Sequence, residues 1–377
     1  MRYFLNTLLL LCIAGTLLIA GCSQSTVEQG KIGTPETSTL TTGPTSSIPA
    51  TSVIPVVSVQ ATPTNTDIPR GIMDPDFIVD LIVPEKMAPG NTLLPDNHNP
   101  DKPRIIEVNR FGEIVWEYAL PADLKSFTNP GWDVELLPSG NILTLLPRKG
   151  VYEINRNKQV VWSYIDPRVS HDADRLPNGN TLVAFGSMDT LSDAQAKEVS
   201  SDGKVVWSWY AGDSFNVAPY ASISNEGWTH ANAVSRLENG NTLISLRNFN
   251  FIAEVNPQGN LVRKIGEGVV TSQHDPAVLP NGNILLANQA LPHEAMELDP
   301  GSRNILWRFP IRERSSLPLR DANRLANGNT LITAADRIIE VTKDKEVVWQ
   351  FRLQAGGFTD KMLASSRGFY KAERIGA

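Results

Sequence analysis

The chain of 377 residues is short of cysteine, of histidine and of positive charge, and each shortage narrows what it can be. It has two cysteines, Cys12 and Cys22, both near the start. Cys12 falls in a segment read below as a removable signal, so no disulfide framework is expected. A net charge of −6 and a pI near 5.5 leave no broad basic surface, which argues against nucleic acid as a partner. Residues 23–71 contain no aromatic side chain and are dominated by Ser, Thr and Pro. Such a stretch cannot bury enough apolar surface to offset chain entropy, and it reads as a disordered tether. With 41% hydrophobic and 20% charged residues overall, the rest is an ordinary globular chain with material for a sizeable core.

Residues 1–22 read as a processing signal rather than part of the fold. Arg2 supplies a positive start, and Leu8 to Leu11 with Cys12 to Ala20 supply an apolar stretch shorter than the ~20 residues a bilayer span needs. It ends in Ile19-Ala20-Gly21-Cys22, which resembles a bacterial lipoprotein signal. That resemblance implies lipidation of Cys22 and an exported protein, lipid-anchored to the bacterial membrane on its extracytoplasmic side.

Residues 72–377 carry an internal repeat. A Gly-Asn pair followed by Thr-Leu or Ile-Leu occurs at Gly90, Gly140, Gly179, Gly240, Gly282 and Gly328, with intervals of 39 to 61 residues. Most copies follow a short strand ending in Leu, and Asn-Gly favours the positive φ angles of a tight hairpin turn. A third strand follows, as in Ile105-Ile106-Glu107-Val108. A fourth ends in Trp116, Trp162, Trp207, Trp307 or Trp349, while blade four has Leu261-Val262-Arg263 instead. Four strands repeated six times, with no helical periodicity between them, predict an all-β fold: a six-bladed β-propeller with four-stranded blades. Gly368 to Ile375 reads as one more strand, placed to close the ring onto the first blade.

First strands of propeller blades line the central channel, so one repeat position gathers around one axis. Eight residues before the turn glycine stand Trp132, His171, His274 and Arg320, and His230 stands ten before in blade four. Three of the chain's five histidines therefore converge. The following residue is Asp133, Asp172, Asp275 or Asp321 whatever precedes it. That indifference predicts a structural role, with each Asp pointing away from its own neighbour and accepting backbone hydrogen bonds within its blade. Asn232 shares the face of His230, and Arg247 follows on the second strand. An Arg fork and an amide beside three imidazoles suit a small tetrahedral oxyanion. Phe215, Tyr220 and Trp228, between blades three and four, are equally suited to stacking on a substrate ring or to packing.

The NGNTL turns, the VVW strands, the HD starts of blades three and five, and H-x-N followed by Arg in blade four resemble the bacterial arylsulfate sulfotransferases. The resemblance implies a small-molecule aryl sulfate as donor, a phenol as acceptor and no cofactor. It assigns His274 as the nucleophile that is transiently sulfated. His171 and His230 become acid/base or sulfuryl-stabilising groups, and Arg247 and Asn232 become ligands of the sulfuryl oxygens. Trp132, Arg320, Tyr220 and Trp228 are further pocket candidates. The better-known members carry an N-terminal β-domain that pairs subunits and a disulfide, and neither feature transfers to this chain. The residues alone leave two other readings open: three axial histidines ligating zinc or iron, or a scaffold propeller without catalysis.

Overall fold

The computed structural model describes residues 71–311, 318–354 and 367–376. The signal and most of the tether expected from the sequence lie outside them. Among the described residues no helix is long and apolar enough to cross a membrane.

The described residues form six antiparallel sheets arranged as a six-bladed propeller, as the repeat predicts. The inner strands of blades two to six are Asp133–Leu136, Ala173–Arg175, Ala231–Arg236, His274–Val278 and Leu319–Arg324. Blade one takes its inner strand from the far end of the chain: Glu373–Ile375 pairs with Asn91, Thr92 and Leu93. Closure of the ring by this segment agrees with the sequence reading. The Gly90 copy differs from the other five, because the strand before it, Phe77–Ile82, pairs with Val347–Leu353 and becomes a fifth strand of blade six. With the closing strand already occupying the inside of blade one, the preceding segment has no edge there and extends the neighbouring sheet.

Burial explains the strand sequences. Second strands such as Ile142–Leu146 and Thr242–Leu246 are buried at every position, since a neighbouring blade covers each sheet face, and they consist of Ile and Leu with only small hydroxyl side chains among them. Outer strands such as Val160–Tyr164 and Val205–Trp209 expose their leading valines. Apolar clusters fill the seams, as where Phe77, Trp349, Phe351 and Phe369 meet between blades six and one. Each fully buried side chain of this size contributes about 1.5–3 kcal/mol.

The repeat motif is itself a seam device. In all six blades the turn Asn donates its amide to a third-strand Glu, at 2.6 to 2.7 Å: Glu107, Glu153, Glu198, Glu254, Glu297 and Glu340. At four seams an Arg from the next blade's inner strand pairs with that Glu: Arg175 with Glu153, Arg236 with Glu198, Arg324 with Glu297 and Arg374 with Glu340. The same guanidinium lies 4.8 to 5.4 Å from the ring of Trp162, Trp207, Trp307 or Trp349. Each of these indoles donates its N–H to a turn carbonyl of the next blade, as from Trp162 to Ser201 at 2.8 Å and from Trp349 to Arg110 at 2.8 Å. The Gly-Asn turn, the third-strand Glu and the closing Trp are therefore parts of one staple. Blade four has no Trp there, and Arg263 answers Glu254 from within the blade.

Candidate active site

Strand register identifies which residues share a level around the axis. Leu136, Arg175, Arg236, Val278 and Arg324 each lie opposite the residue two after the turn glycine, and in blade one Arg374 lies opposite Thr92. Four residues back from each stand Trp132, His171, Asn232, His274, Arg320 and Tyr370. Inner strands four, five and six each carry a bulge at this level, between Ala231 and Ala233, His274 and Ala277, and Leu319 and Asp321, and blade four adds a second residue there, His230. The sixth member, Tyr370, escaped sequence reasoning because blade one has no hairpin from which to count; the signal was available once Ile375 is set opposite Asn91.

The structure brings the three histidines together. The rings of His171 and His230 lie 4.8 Å apart, and Tyr370 sits 5.8 Å from His171 and 6.2 Å from His274. The Arg320 guanidinium is 5.3 Å from the Tyr370 ring. His171, His230, His274 and Arg320 are all buried. Arg247, half-buried in the turn after the second strand of blade four, is near enough to act electrostatically on all three imidazoles.

Burial, reinforced by Arg247, holds the His230 imidazole down to about 4 and that of His274 to about 3. Burial and then the neighbouring cationic and imidazole groups push His171 well below its ordinary value as well. All three rings are thus neutral near pH 7, facing two fixed positive charges. His274 Nδ1 lies 2.9 Å from the Ser272 carbonyl oxygen, and His230 Nδ1 lies 3.2 Å from that of Glu226. A carbonyl only accepts, so Nδ1 carries the proton in both rings and Nε2 keeps its lone pair.

Several of these residues occupy backbone conformations that L-residues adopt reluctantly: φ is 70° at His171, 49° at His230, 46° at Ser272 and 47° at Asp275. Such conformations persist where surrounding structure enforces them. Asp189, also missed from sequence, does so for His230. Its carboxylate accepts from the backbone N–H groups of Thr229 and His230, at 3.1 and 3.2 Å, and from Thr229 Oγ1 at 2.6 Å. Gly131 leaves the room His171 occupies, since a Cβ there would stand 2.5 Å from the imidazole Cδ2.

The aspartates occupy the next level and correct one expectation. Asp133, Asp172 and Asp321 accept from Ala173, Val234 and Ala372, backbone N–H groups of the following blade rather than of their own. Their strand faces the channel, where the nearest backbone donor belongs to the adjacent inner strand. Lys371 stands among them, with Nζ 3.0 Å from Asp275 and 3.6 Å from both Asp133 and Asp172. Burial works against its charge, but the carboxylates raise the ammonium well above its ordinary value. Burial likewise opposes ionisation of Asp275, yet Lys371 and a hydrogen bond with Asp321 keep it below the usual carboxylate range.

Other candidates are committed to packing. Trp132 is buried among Leu124, Val134 and Leu146 and donates its indole N–H to Thr144 Oγ1 at 3.0 Å. Tyr220 and Trp228 join Phe215, Phe249 and Phe251 in an aromatic cluster between blades three and four. The Tyr220 hydroxyl bonds Glu267, and the Trp228 indole bonds the Tyr220 carbonyl. Of the two roles the sequence allowed this trio, the side chains occupy the packing one. Asn232 is spent partly on structure: its Nδ2 donates to the carbonyl of Gln273, the residue before His274, at 2.9 Å. Among the described residues no three His, Cys, Asp or Glu side chains are disposed to hold a metal ion.

Fold and site define a propeller whose centre gathers neutral imidazoles and guanidiniums. Residues 82–269 match the arylsulfotransferase (ASST) family, and the chain belongs to that family. The matched span includes His171, His230, Asn232 and Arg247 and ends before His274. No curated protein matches the chain. Among solved structures, a protein of unknown function from Bacteroides caccae is similar at 22% identity with a TM-score of 0.53, over 72% of this chain and 96% of that one. Virginiamycin B lyase from Staphylococcus aureus is similar at 12% identity with a TM-score of 0.47, over 74% and 90%. The first likeness concerns the fold alone.

Proposed function

We propose that the protein moves a sulfuryl group from a phenolic sulfate ester to a second phenol through a sulfo-histidine at His274, without a nucleotide donor. The observation that carries this reading is the state of His274: neutral, with Nδ1–H fixed on the Ser272 carbonyl, Nε2 unprotonated, and Arg247 acting on it at close range. In the first half, Nε2 forms a bond to sulfur as the S–O bond to the donor breaks. The phenolate leaves with the electron pair and takes a proton from solvent. The sulfuryl group stays on Nε2 while Nδ1 keeps its proton. In the second half, the acceptor oxygen attacks sulfur, its proton passes to a neutral imidazole, and the N–S pair returns to His274. Splitting one displacement into two in this way is nucleophilic catalysis.

His171 and His230, unprotonated near neutrality, suit the base of the second half better than the acid of the first. Arg247 and Arg320 supply positive charge for the sulfuryl oxygens and the departing phenolate. Asn232 steadies the strand that carries His274. The protein would work as an exported, lipid-anchored enzyme held through Cys22, a placement read out by membrane fractionation of Cys22→Ser.

The test is intact mass after incubation with an aryl sulfate and no acceptor. One added sulfuryl group, acid-labile and absent in His274→Ala, is expected. Normal phenol release by His274→Ala would overturn the assigned nucleophile.

A further inference from the structure

Tyr370 is held in place with its most polar atom left over. The residue is buried, yet its hydroxyl has no hydrogen-bond partner among the described residues. An unpaired buried hydroxyl costs about 1–3 kcal/mol, and native structures seldom keep one without a use. Its surroundings indicate the use. The ring lies between His171 and His274, with Arg320 against its face, at the axial level the other site residues share. His171 Nδ1, close by, is also buried without a partner. Two unpaired polar atoms able to donate, flanked by a guanidinium, leave room in the bonding pattern for a ligand rich in acceptors and carrying negative charge. A sulfuryl group is acceptor-only. Burial, against the pull of Arg320, raises the phenol well above its ordinary value, so the hydroxyl keeps its proton and serves as a donor rather than a base.

We propose that the Tyr370 hydroxyl donates a hydrogen bond to an oxygen of the sulfuryl group in transfer, so that the strand closing the propeller also completes its oxyanion site. The inference rests on the sulfuryl-transfer reading above. It places a catalytic contact on Glu373–Ile375 and the residues leading into it, the one inner strand that no hairpin joins to its blade. Lys371, the next residue, is tied to Asp275, which follows His274, and so holds donor and nucleophile in one framework.

The experiment is Tyr370→Phe, which keeps the ring between the imidazoles and removes only the unpaired hydroxyl. Without ligand the variant should melt at or above the wild-type temperature, because no protein hydrogen bond is lost. With toluenesulfonate, an aryl sulfonate whose C–S bond cannot be transferred, calorimetric titration should show binding about tenfold weaker than wild type, the loss of one hydrogen bond to a charged group. Single-turnover sulfation of His274 should slow about 10- to 100-fold. Equal toluenesulfonate affinity in the two proteins, or a ligand-free melting temperature clearly below wild type, would overturn the inference, the second by showing that the hydroxyl has a structural partner. If the wild type never gains a sulfuryl group but the affinity difference appears, the donor role at an oxyanion site holds and the transfer reading fails instead.

Discussion

The seams between blades and the ring around the axis are built by opposite rules. The seams use the same four residues repeatedly: a turn Asn, a third-strand Glu, a closing Trp and an Arg from the next blade. The ring uses Trp132, His171, Asn232 with His230, His274, Arg320 and Tyr370, no two neighbouring blades alike at the counted level. A repeat protein can afford uniformity where each unit does the same work, which here is fastening. Where the units differ at one level, the differences cannot come from a shared packing need, and under the proposed reading they converge on one chemical task.

Five substitutions and a pH–rate profile press on this contrast. The largest effect is expected at the closing seam, where the Arg374 and Glu340 side chains are 2% and 0% exposed. Glu340→Ala leaves a buried guanidinium without its partner and should lose about 3–5 kcal/mol in denaturant unfolding. The comparable pair between blades one and two, Arg156 with Glu107, is 38% and 13% exposed, and Arg156→Ala should lose less than about 1 kcal/mol. Equal losses would remove the distinction between closing and ordinary seams. Next comes Gly131→Ala, which drives a methyl into His171 at a left-handed φ of 92°. Sulfuryl transfer should fall at least about tenfold with a smaller change in melting temperature, since the displaced group serves the ring and not a seam.

The smallest effects are in pH dependence. His230 and His274 titrate in the folded protein near 4 and 3, below their ordinary 6.5. Between pH 6.5 and about 3 the unfolded chain therefore binds more protons, and the fold loses stability as pH falls through that window. Asp172 and Glu373, both pushed by burial up to about 8, work the other way, losing stability as pH rises from about 4 to 8. Melting curves should accordingly flatten on the acid side in His274→Asn and on the neutral side in Glu373→Gln. The acid limb of kcat/KM should fall below pH about 5 rather than near 6.5.

The fold was legible because a Gly-Asn pair marks every blade, preceded by Asn in four of the six, and five of the candidate site residues were legible because hairpins transmit register from turn to strand. Legibility stopped where that transmission stopped. Tyr370 and Lys371 precede a strand with no hairpin of its own, so no count reaches them. Asp189 lies in the connection between the second and third strands of blade three, outside any repeated position. Trp132 shares the axial level of the histidines, but level does not fix where a large apolar side chain turns, and packing took it. Strand alternation did not place the aspartates: Asp133, Asp172 and Asp275 converge from three blades on Lys371, and the left-handed φ at His171 and Asp275 interrupts the alternation that would have turned them away.

The closing strand is three residues long, and a ladder so short specifies its own alignment weakly. A slip by one residue would put Lys371 at the level of His171 and His274 and withdraw Tyr370. Such a slip would also separate Arg374 from Glu340 and carry Lys371 away from Asp275. The two ion pairs, one buried and one partly exposed, thus act as pins that fix alignment, and the site's electrostatic character depends on them although neither pair faces a substrate.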